Sequence, residues 1–153
     1  MNCCGDMFTE FHFQDLRFAD PQNQKGVYVI RVKGRGEEPK RIIEEVKCLI
    51  ERLNWELVGS FVTDRIDRLR NIDKCPVIYI GANRNSGENT LKDRYAELAN
   101  RHTIMYPLWT LIYYSWDLEF GWQTTNNPEL LEKQLKRKYK GFHKGKLPAL
   151  VKK

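Results

Sequence analysis

The chain has 153 residues, a length typical of one domain. Hydrophobic residues make up 41% of it and charged residues 30%, which excludes a disordered or collagen-like polypeptide. No apolar run approaches the roughly 18 residues of a membrane span, and the first residues lack the basic start and apolar core of a secretory signal. We therefore expect a single globular domain over residues 1–153, in the cytoplasm and without a membrane partner.

The net charge of +6 is concentrated at the C-terminal end of the chain. Nine of the 26 basic residues, but none of the 20 acidic ones, lie in residues 133–153, so the rest of the chain has a net charge of −3. A localised positive field attracts polyanions such as nucleic acid or an anionic membrane. A solvated, lysine-rich tail that serves only solubility explains the charge equally well.

Cysteine and histidine usage argues against a metal finger. The four cysteines form no CxxC pair, and the three histidines are scattered. Free thiols in a reducing compartment are therefore expected, and a zinc site is not. The sequence also lacks the H-E-x-x-H, G-x-S-x-G and G-x-x-x-x-G-K-[ST] patterns, which removes zincins, hydrolases with a nucleophile elbow and P-loop proteins from consideration.

The first half of the chain predicts an extension, a strand and a helix. Residues 1–25 mix aromatic and polar residues and form an N-terminal extension. The β-branched run 26–32 is bounded by glycines and predicts a strand with alternate side chains, Tyr28 among them, on one face. Aliphatic residues at helical spacing predict an amphipathic helix over residues 38–54.

The middle of the chain predicts shorter elements. Residues 55–63 read as a short strand and 64–72 as a charged helix or loop. The apolar run 76–81 predicts a clearer strand that ends at a glycine. Residues 82–89 have the composition of a loop, which Thr90 and Asp93 follow with the spacing of a capping box.

The rest of the chain predicts a helix, a strand and a helix. The helix that follows Thr90 extends to about residue 101, and the apolar, aromatic run 108–117 predicts a third strand. Asn127 as cap and Pro128 at the first helical position predict the start of the last helix. Gly141 predicts its end after about residue 140.

Four polar residues stand out because each interrupts or flanks an apolar pattern: Tyr28 and Tyr79 within strands, and Arg94 and Glu132 beside helical stripes. For each one alone, a half-buried core tyrosine or a solvated or ion-paired helical charge is the commoner explanation. As a set they contain what phosphodiester cleavage requires. A phenol can hold or deprotonate water, a guanidinium can clamp a phosphate, and a carboxylate can bind a divalent cation.

These residues belong to segments that occur in a fixed order: Gly26-Val27-Tyr28, Tyr79-Ile80-Gly81, Leu91-Lys92-Asp93-Arg94-Tyr95, Leu131-Glu132-Lys133-Gln134-Leu135, and the ending from Tyr139 to Leu150. Their residues and order resemble the GIY-YIG nuclease superfamily, and the ending is similar to its restriction-enzyme-like branch. The resemblance covers residues 26–150, nearly the whole chain.

The resemblance implies a fold and a set of roles. The fold would be a small α+β domain whose central three-stranded antiparallel sheet is flanked by helices. Residues 34–74 would be a helical insertion, since the family usually joins its first two core strands by a short hairpin. Tyr28 would be the general base or water-holder, supported by Tyr79. Arg94 would bind the scissile phosphate, and Glu132 would hold a single Mg²⁺ (or Mn²⁺).

The activity implied by the resemblance is that of a divalent-metal-dependent endonuclease that hydrolyses phosphodiester bonds in DNA. In that interpretation the basic C-terminal segment surrounds the metal site with positive charge that positions nucleic acid without reading its sequence. The basic side chains expected to contact nucleic acid are Arg84, Lys136, Lys140 and Lys144.

Two positions depart from the family pattern. Many members have a histidine where this chain has Leu98, and an asparagine commonly follows the Leu-Pro-x-Leu ending, where this chain has Val151. His102 could approach the site from further along, although a helix-end histidine more often caps carbonyls. These departures favour an alternative, a catalytically weak or inactive nucleic-acid-binding module of the same fold. In a third interpretation the helix over 38–54 is a protein-interaction surface. Oligomeric state and the choice between DNA and RNA stay open.

Overall fold

The computed structural model describes residues 6–53, 56–69, 75–100 and 104–151, and in these ranges it contains a four-stranded antiparallel sheet and five α-helices. The strands are β1 (His12–Asp15), β2 (Gly26–Gly34), β3 (Val77–Ala82) and β4 (Asp117–Thr124). The helices are α1 (Pro39–Leu53), α2 (Glu56–Arg68), α3 (Leu91–Asn100), α4 (Met105–Tyr113) and α5 (Pro128–Phe142). The predicted α+β fold, with helices inserted between the first two core strands, is confirmed.

The strand order is β1-β4-β2-β3, so β2 lies inside the sheet and β3 forms one edge. Each neighbouring pair is antiparallel. The family resemblance implied a three-stranded central sheet, and the fourth strand, β1, comes from the N-terminal extension. It has only four residues, and its side chains are exposed or half-buried, so it lacks the apolar run that marks a strand in a sequence.

The sheet separates two hydrophobic cores because side chains alternate along β2. Tyr28 and Ile30 point into the larger core, which α1 to α4 cover. Val27 and Val29 point into a smaller core formed with Leu135 of α5 and with aromatic residues of the N-terminal extension. The two faces of β2 therefore pack into different cores, because successive side chains of a strand point to opposite faces of the sheet.

Residues 55–63 were predicted as a short strand, and this prediction is wrong over the described residues, because α2 spans Glu56–Arg68. Val62, Ile66 and Leu69 are buried at a spacing of three to four residues and pack into the larger core. The buried positions from 62 to 69 therefore follow the periodicity of a helix, whereas residues 55–63 were predicted as a short strand.

The strand predicted over residues 108–117 is also wrong. Residues Met105–Tyr113 form α4, in which Pro107, Leu108 and Leu111 are buried. A continuous apolar run does not distinguish a buried helix from a strand by periodicity. The third core strand is β4, where Leu118, Phe120 and Trp122 alternate and enter the larger core.

The last helix begins as predicted and ends later. Asn127 Oδ1 accepts a hydrogen bond from the backbone N–H of Leu130 at 3.3 Å, and Pro128 follows the cap. Gly141 does not stop α5, which continues to Phe142. The chain turns instead at Lys144 and Gly145, whose φ angles are 54° and 81°.

The C-terminal segment returns to the edge strand. Leu150 N–H donates to Ile78 O at 2.9 Å, and the Leu150 side chain is buried in the larger core. The segment therefore connects the end of α5 to β3. Among the described residues, the helices are all too short or too polar to cross a membrane.

Candidate active site

Tyr28 and Tyr79 lie side by side on adjacent strands. Tyr28 pairs with Gly81 in the β2–β3 ladder and Tyr79 with Ile30, which places both phenols on one face of the sheet. The two rings are stacked with centroids 5.8 Å apart, and Phe120 of β4 stacks on the other side of Tyr28 at 5.5 Å. The predicted convergence of the two strand tyrosines is a feature of the structure.

The stacked pair depends on the glycine between the rings. A Cβ at Gly81 would lie 2.6 Å from the Tyr28 hydroxyl and 2.8 Å from Cε1 of Tyr79. Contacts this short do not occur between a side chain and a packed ring, so any other residue at position 81 displaces the phenols. The glycine at position 81 is therefore a steric requirement of the site.

The two phenols differ in exposure. Tyr28 is 2% exposed, whereas Tyr79 is half-buried. Burial raises the pKa of Tyr28 well above its ordinary value, and the charge of Tyr79 and a hydrogen bond with it raise it further. Burial also raises the pKa of Tyr79, while its hydrogen bond with Tyr28 lowers it. Because burial raises both pKa values above the ordinary value of a phenol, both side chains are protonated at neutral pH.

Arg94 projects from the first turn of α3, whose start is fixed by a capping interaction. The backbone N–H of Thr90 donates to Asp93 Oδ2 at 2.8 Å. The half-buried Arg94 forms an ion pair with Glu97, NH1 to Oε2 at 2.8 Å. Its Nε is buried and has no hydrogen-bond partner within the described part of the chain. A buried donor left without an acceptor costs about 1–3 kcal/mol, so an additional acceptor there would be favourable.

Glu132 comes from the other side of the sheet. Leu135 and Tyr139 of α5 pack into the smaller core, opposite the face that carries the phenols. Because β3 is an edge strand, a side chain of α5 can reach around it. The negative charge of Glu132 raises the pKa of both Tyr28 and Tyr79, so the carboxylate lies within electrostatic range of both rings.

The carboxylate also interacts with the two basic groups near it. Burial raises the pKa of Glu132, and the charges of Lys136 and Arg94 lower it in part. The Lys136 Nζ lies 3.7 Å from Glu132 Oε2. Since Arg94 also lowers the pKa of both phenols, the four predicted residues from β2, β3, α3 and α5 are electrostatically coupled, and we refer to them as the electrostatic cluster.

The cluster supplies a single carboxylate. No group of three or more His, Cys, Asp or Glu side chains with metal-ligand geometry occurs among residues 6–53, 56–69, 75–100 and 104–151. Mg²⁺ is commonly held by one or two carboxylates together with waters and substrate phosphates. A half-buried carboxylate with few compensating partners fits that mode of binding, in which the substrate completes the coordination.

A hydrogen-bond network of two asparagines and a glutamate connects the two parts of the site, and no sequence pattern predicted it. Asn85, in the loop after β3, donates from Nδ2 to Asn127 Oδ1 at 2.7 Å and from its backbone to Glu129 Oε1 at 3.2 Å. Glu129 N–H donates in turn to Asn85 Oδ1 at 3.2 Å. The loop that follows Tyr79 is thereby tied to the start of the helix that carries Glu132. Loop and cap were each predicted, but no spacing rule connects residues 42 positions apart.

The remaining predicted residues lie in several environments. Arg84 is exposed in the loop after β3, Lys136 is half-buried beside Glu132, and Lys140 and Lys144 are exposed at the end of α5.

The two departures from the family pattern are core residues. Leu98 is 3% exposed and Val151 8%, and the Val151 carbonyl accepts a hydrogen bond from Arg68 at 2.8 Å. His102 lies outside the described residues.

Comparison of the chain with protein-family models, with curated proteins and with solved structures finds no match. The interpretation of the site therefore depends on its own geometry and chemistry.

Proposed function

We propose that this protein is a divalent-metal-dependent endonuclease that hydrolyses phosphodiester bonds in DNA, related to the GIY-YIG superfamily. The observation that supports the proposal is the electrostatic cluster of Tyr28, Tyr79, Arg94 and Glu132. These residues lie on four elements that are distant from one another in the chain. Each places a polar group in a buried or half-buried position. Such groups reduce stability unless they are compensated, which is typical of a functional site.

In the proposed mechanism the two phenols have different roles. Tyr79 is the phenol that water and substrate can reach, whereas Tyr28 is 2% exposed and forms a hydrogen bond with Tyr79. Tyr79 would therefore hold the attacking water, and Tyr28 would fix the orientation of the Tyr79 hydroxyl. Because burial raises the pKa of both groups, they would act as neutral hydrogen-bonding groups at pH 7.

Arg94 and Glu132 would bind the substrate from two sides. The buried Nε of Arg94 has a free donor within the described part of the chain, and a phosphate oxygen would satisfy it. The Glu132 carboxylate would hold Mg²⁺ or Mn²⁺, which when bound would supply Lewis-acid stabilisation of the leaving oxygen. The arginine would also compensate the phosphate charge as it accumulates in the transition state.

The test is a cleavage assay with purified protein, supercoiled plasmid and single-stranded DNA, in Mg²⁺, Mn²⁺ or EDTA. We expect metal-dependent nicking that Glu132→Gln reduces by at least about a hundredfold, the scale on which a single electrostatic contact in an active site acts. Glu88→Gln removes the same charge from an exposed loop position and should retain full activity. Cleavage at the wild-type rate by Glu132→Gln would refute the assigned role of this carboxylate.

A second candidate is a nucleic-acid-binding module without catalysis. It is favoured by Leu98 and Val151, which occupy family polar positions with buried apolar side chains, so neither side chain supplies a polar contact to the site. Salt-dependent gel shifts without nicking, in every metal tested, would favour it over the nuclease. DNA and RNA probes of equal length distinguish the preferred polymer in the same experiment.

We infer a cytoplasmic location for the proposed activity from the thiols. Among the described residues Cys48 and Cys75 are free cysteines, and Cys48 is exposed. An exposed free thiol is compatible with a reducing compartment.

A further inference from the structure

A basic pocket lies at the far end of α5 from the phenols. It has a volume of about 720 Å³ and is formed by the end of α5, the turn and loop that follow it, and Arg68 of α2. Five of its lining residues are basic or histidine, and none of the described residues that line it is Asp or Glu. These residues are Arg68, Lys140, His143, Lys144 and Lys146.

Two of the lining groups are held in place by the fold. The Arg68 guanidinium donates to Val151 O at 2.8 Å and pairs with Asp64 at 3.2 Å. The His143 ring stacks on the buried Tyr139 with centroids 3.9 Å apart. The three lysines, at 140, 144 and 146, are exposed and free to adjust to a ligand. A concave surface with fixed and adaptable cationic donors suits an anion.

The pocket is aligned with the candidate active site along one helix. Glu132, Lys136 and Lys140 follow one another at intervals of four residues and therefore lie along one side of α5. Eight residues of helix separate Glu132 from Lys140, which is about 12 Å at about 1.5 Å per residue. Along a DNA duplex this is about three to four base pairs, at about 3.4 Å per phosphate of one strand.

We propose that this pocket holds a backbone phosphate of a nucleic acid whose strand continues along α5 to Glu132. The inference rests on the proposed function for the position of the scissile phosphate, but the binding of phosphate to the pocket stands apart from catalysis. The pocket fixes the register of the polymer on the protein without reading its sequence, because lysine contacts to phosphate carry no base information. In this proposal the basic residues between 140 and 146 bind phosphate.

The test measures affinity in the absence of divalent metal, so that cleavage plays no part. A fluorescein-labelled DNA hairpin is titrated with the wild-type protein, with Lys140→Ala/Lys144→Ala/Lys146→Ala, and with Lys33→Ala/Lys40→Ala/Lys47→Ala, and anisotropy is recorded at several salt concentrations. The control triple removes the same charge from exposed positions on β2 and α1. All six lysines are exposed, and circular dichroism melts verify that both variants fold.

We expect the pocket triple to weaken binding at least about tenfold and to reduce the slope of log K against log salt by about 2 to 3, since each phosphate contact contributes about 1. The control triple should change affinity less than about threefold. Equal losses in both variants, no loss in the pocket triple, or lysine-dependent binding to phosphatidylserine vesicles instead of DNA would overturn the proposal. Pocket-dependent binding by a wild-type protein that cleaves nothing in Mg²⁺ or Mn²⁺ would retain the phosphate site and reject the nuclease.

Discussion

Two surfaces of this protein have opposite chemistry. At the edge of the sheet, phenols, a guanidinium and a carboxylate lie in buried or half-buried positions, and the charges of Arg94 and Glu132 shift the pKa of both phenols. Between α1, α2 and α4, a groove of about 790 Å³ is lined mainly by apolar and aromatic side chains, among them the exposed Leu49, Trp109 and Tyr113. The groove includes part of the helix for which a protein-interaction role was one prediction.

The two surfaces contribute differently to the stability of the fold. Polar groups buried at the sheet edge weaken the fold unless something compensates them, so their retention argues for a role in chemistry. Exposed apolar side chains in the groove cost little in the folded chain, and their removal should leave the chemistry unchanged. Substitutions should therefore separate the two surfaces by activity first and by stability second.

The largest effect is expected at the accessible phenol. Tyr79→Phe removes the hydroxyl proposed to hold the attacking water and should slow cleavage by about 100- to 1,000-fold. Tyr28→Phe removes only the hydrogen bond that orients it and should cost less. Tyr113→Phe, in the groove and 81% exposed, is the matched control and should cleave at the wild-type rate.

Single-turnover rates with a saturating DNA substrate measure these three variants. A larger loss for Tyr28→Phe than for Tyr79→Phe would reverse the assigned roles, and a loss for Tyr113→Phe would erase the functional distinction between the two surfaces.

A second substitution tests the steric basis of the phenol pair. Gly81→Ala introduces a Cβ within 2.6 Å of the Tyr28 hydroxyl, so the free energy of unfolding should fall by about 1–3 kcal/mol and cleavage should fall with it. Gly87→Ala is the control in the following loop, because its Cβ would meet nothing closer than 3.8 Å. Urea unfolding compares the two variants, and equal stabilities would mean that the rings are free to move aside.

The smallest expected effect is a shift in pH dependence. Lys136 lowers the pKa of Glu132, so Lys136→Met should raise that pKa and move the acid limb of the cleavage profile to higher pH. Lys138→Met, on the same helix and exposed, should leave the limb in place. Rates measured between pH 4 and pH 8 test this, and coincident acid limbs for all three proteins would exclude Glu132 as the titrating group.

The same pKa has a consequence for stability with a definite sign. Burial raises the pKa of Glu132 above its value in the unfolded chain, so its contribution to stability is present at low pH and is lost as the pH rises through the folded-state pKa. Lys136→Met should increase that loss. Thermal melts of the same proteins over the same pH range record it.

The sequence predicted the parts of this molecule that have local signals. The alternation in β2, the glycine near the end of β3, the Thr90–Asp93 start of α3 and the Asn127–Pro128 start of α5 all depend on neighbouring residues, and the structure contains them. Even the positions of Arg94 and Glu132 at the margins of buried stripes follow from helical spacing, and both are half-buried.

The features that were predicted wrongly, or not predicted, are decided by tertiary packing. Residues 108–113 are apolar enough for either structure, and burial of Leu108 and Leu111 on one side selects the helix. β1 becomes a strand because β4 offers it a partner, with Phe13 opposite Gly121. The tie between Asn85 and α5 joins elements distant in the chain, which no pattern within one segment can show.

The insertion of α1 and α2 between the two tyrosine strands has a consequence for biosynthesis. Tyr28 and Tyr79 are 51 residues apart, and the partner strand β4 and the carboxylate of α5 follow later still. Long-range strand pairing has to wait until the intervening chain has been closed into a loop. A nascent polypeptide that has not yet released α5 from the ribosome therefore possesses the aromatic pair and Arg94 at most, and it acquires the complete constellation only once α5 has emerged.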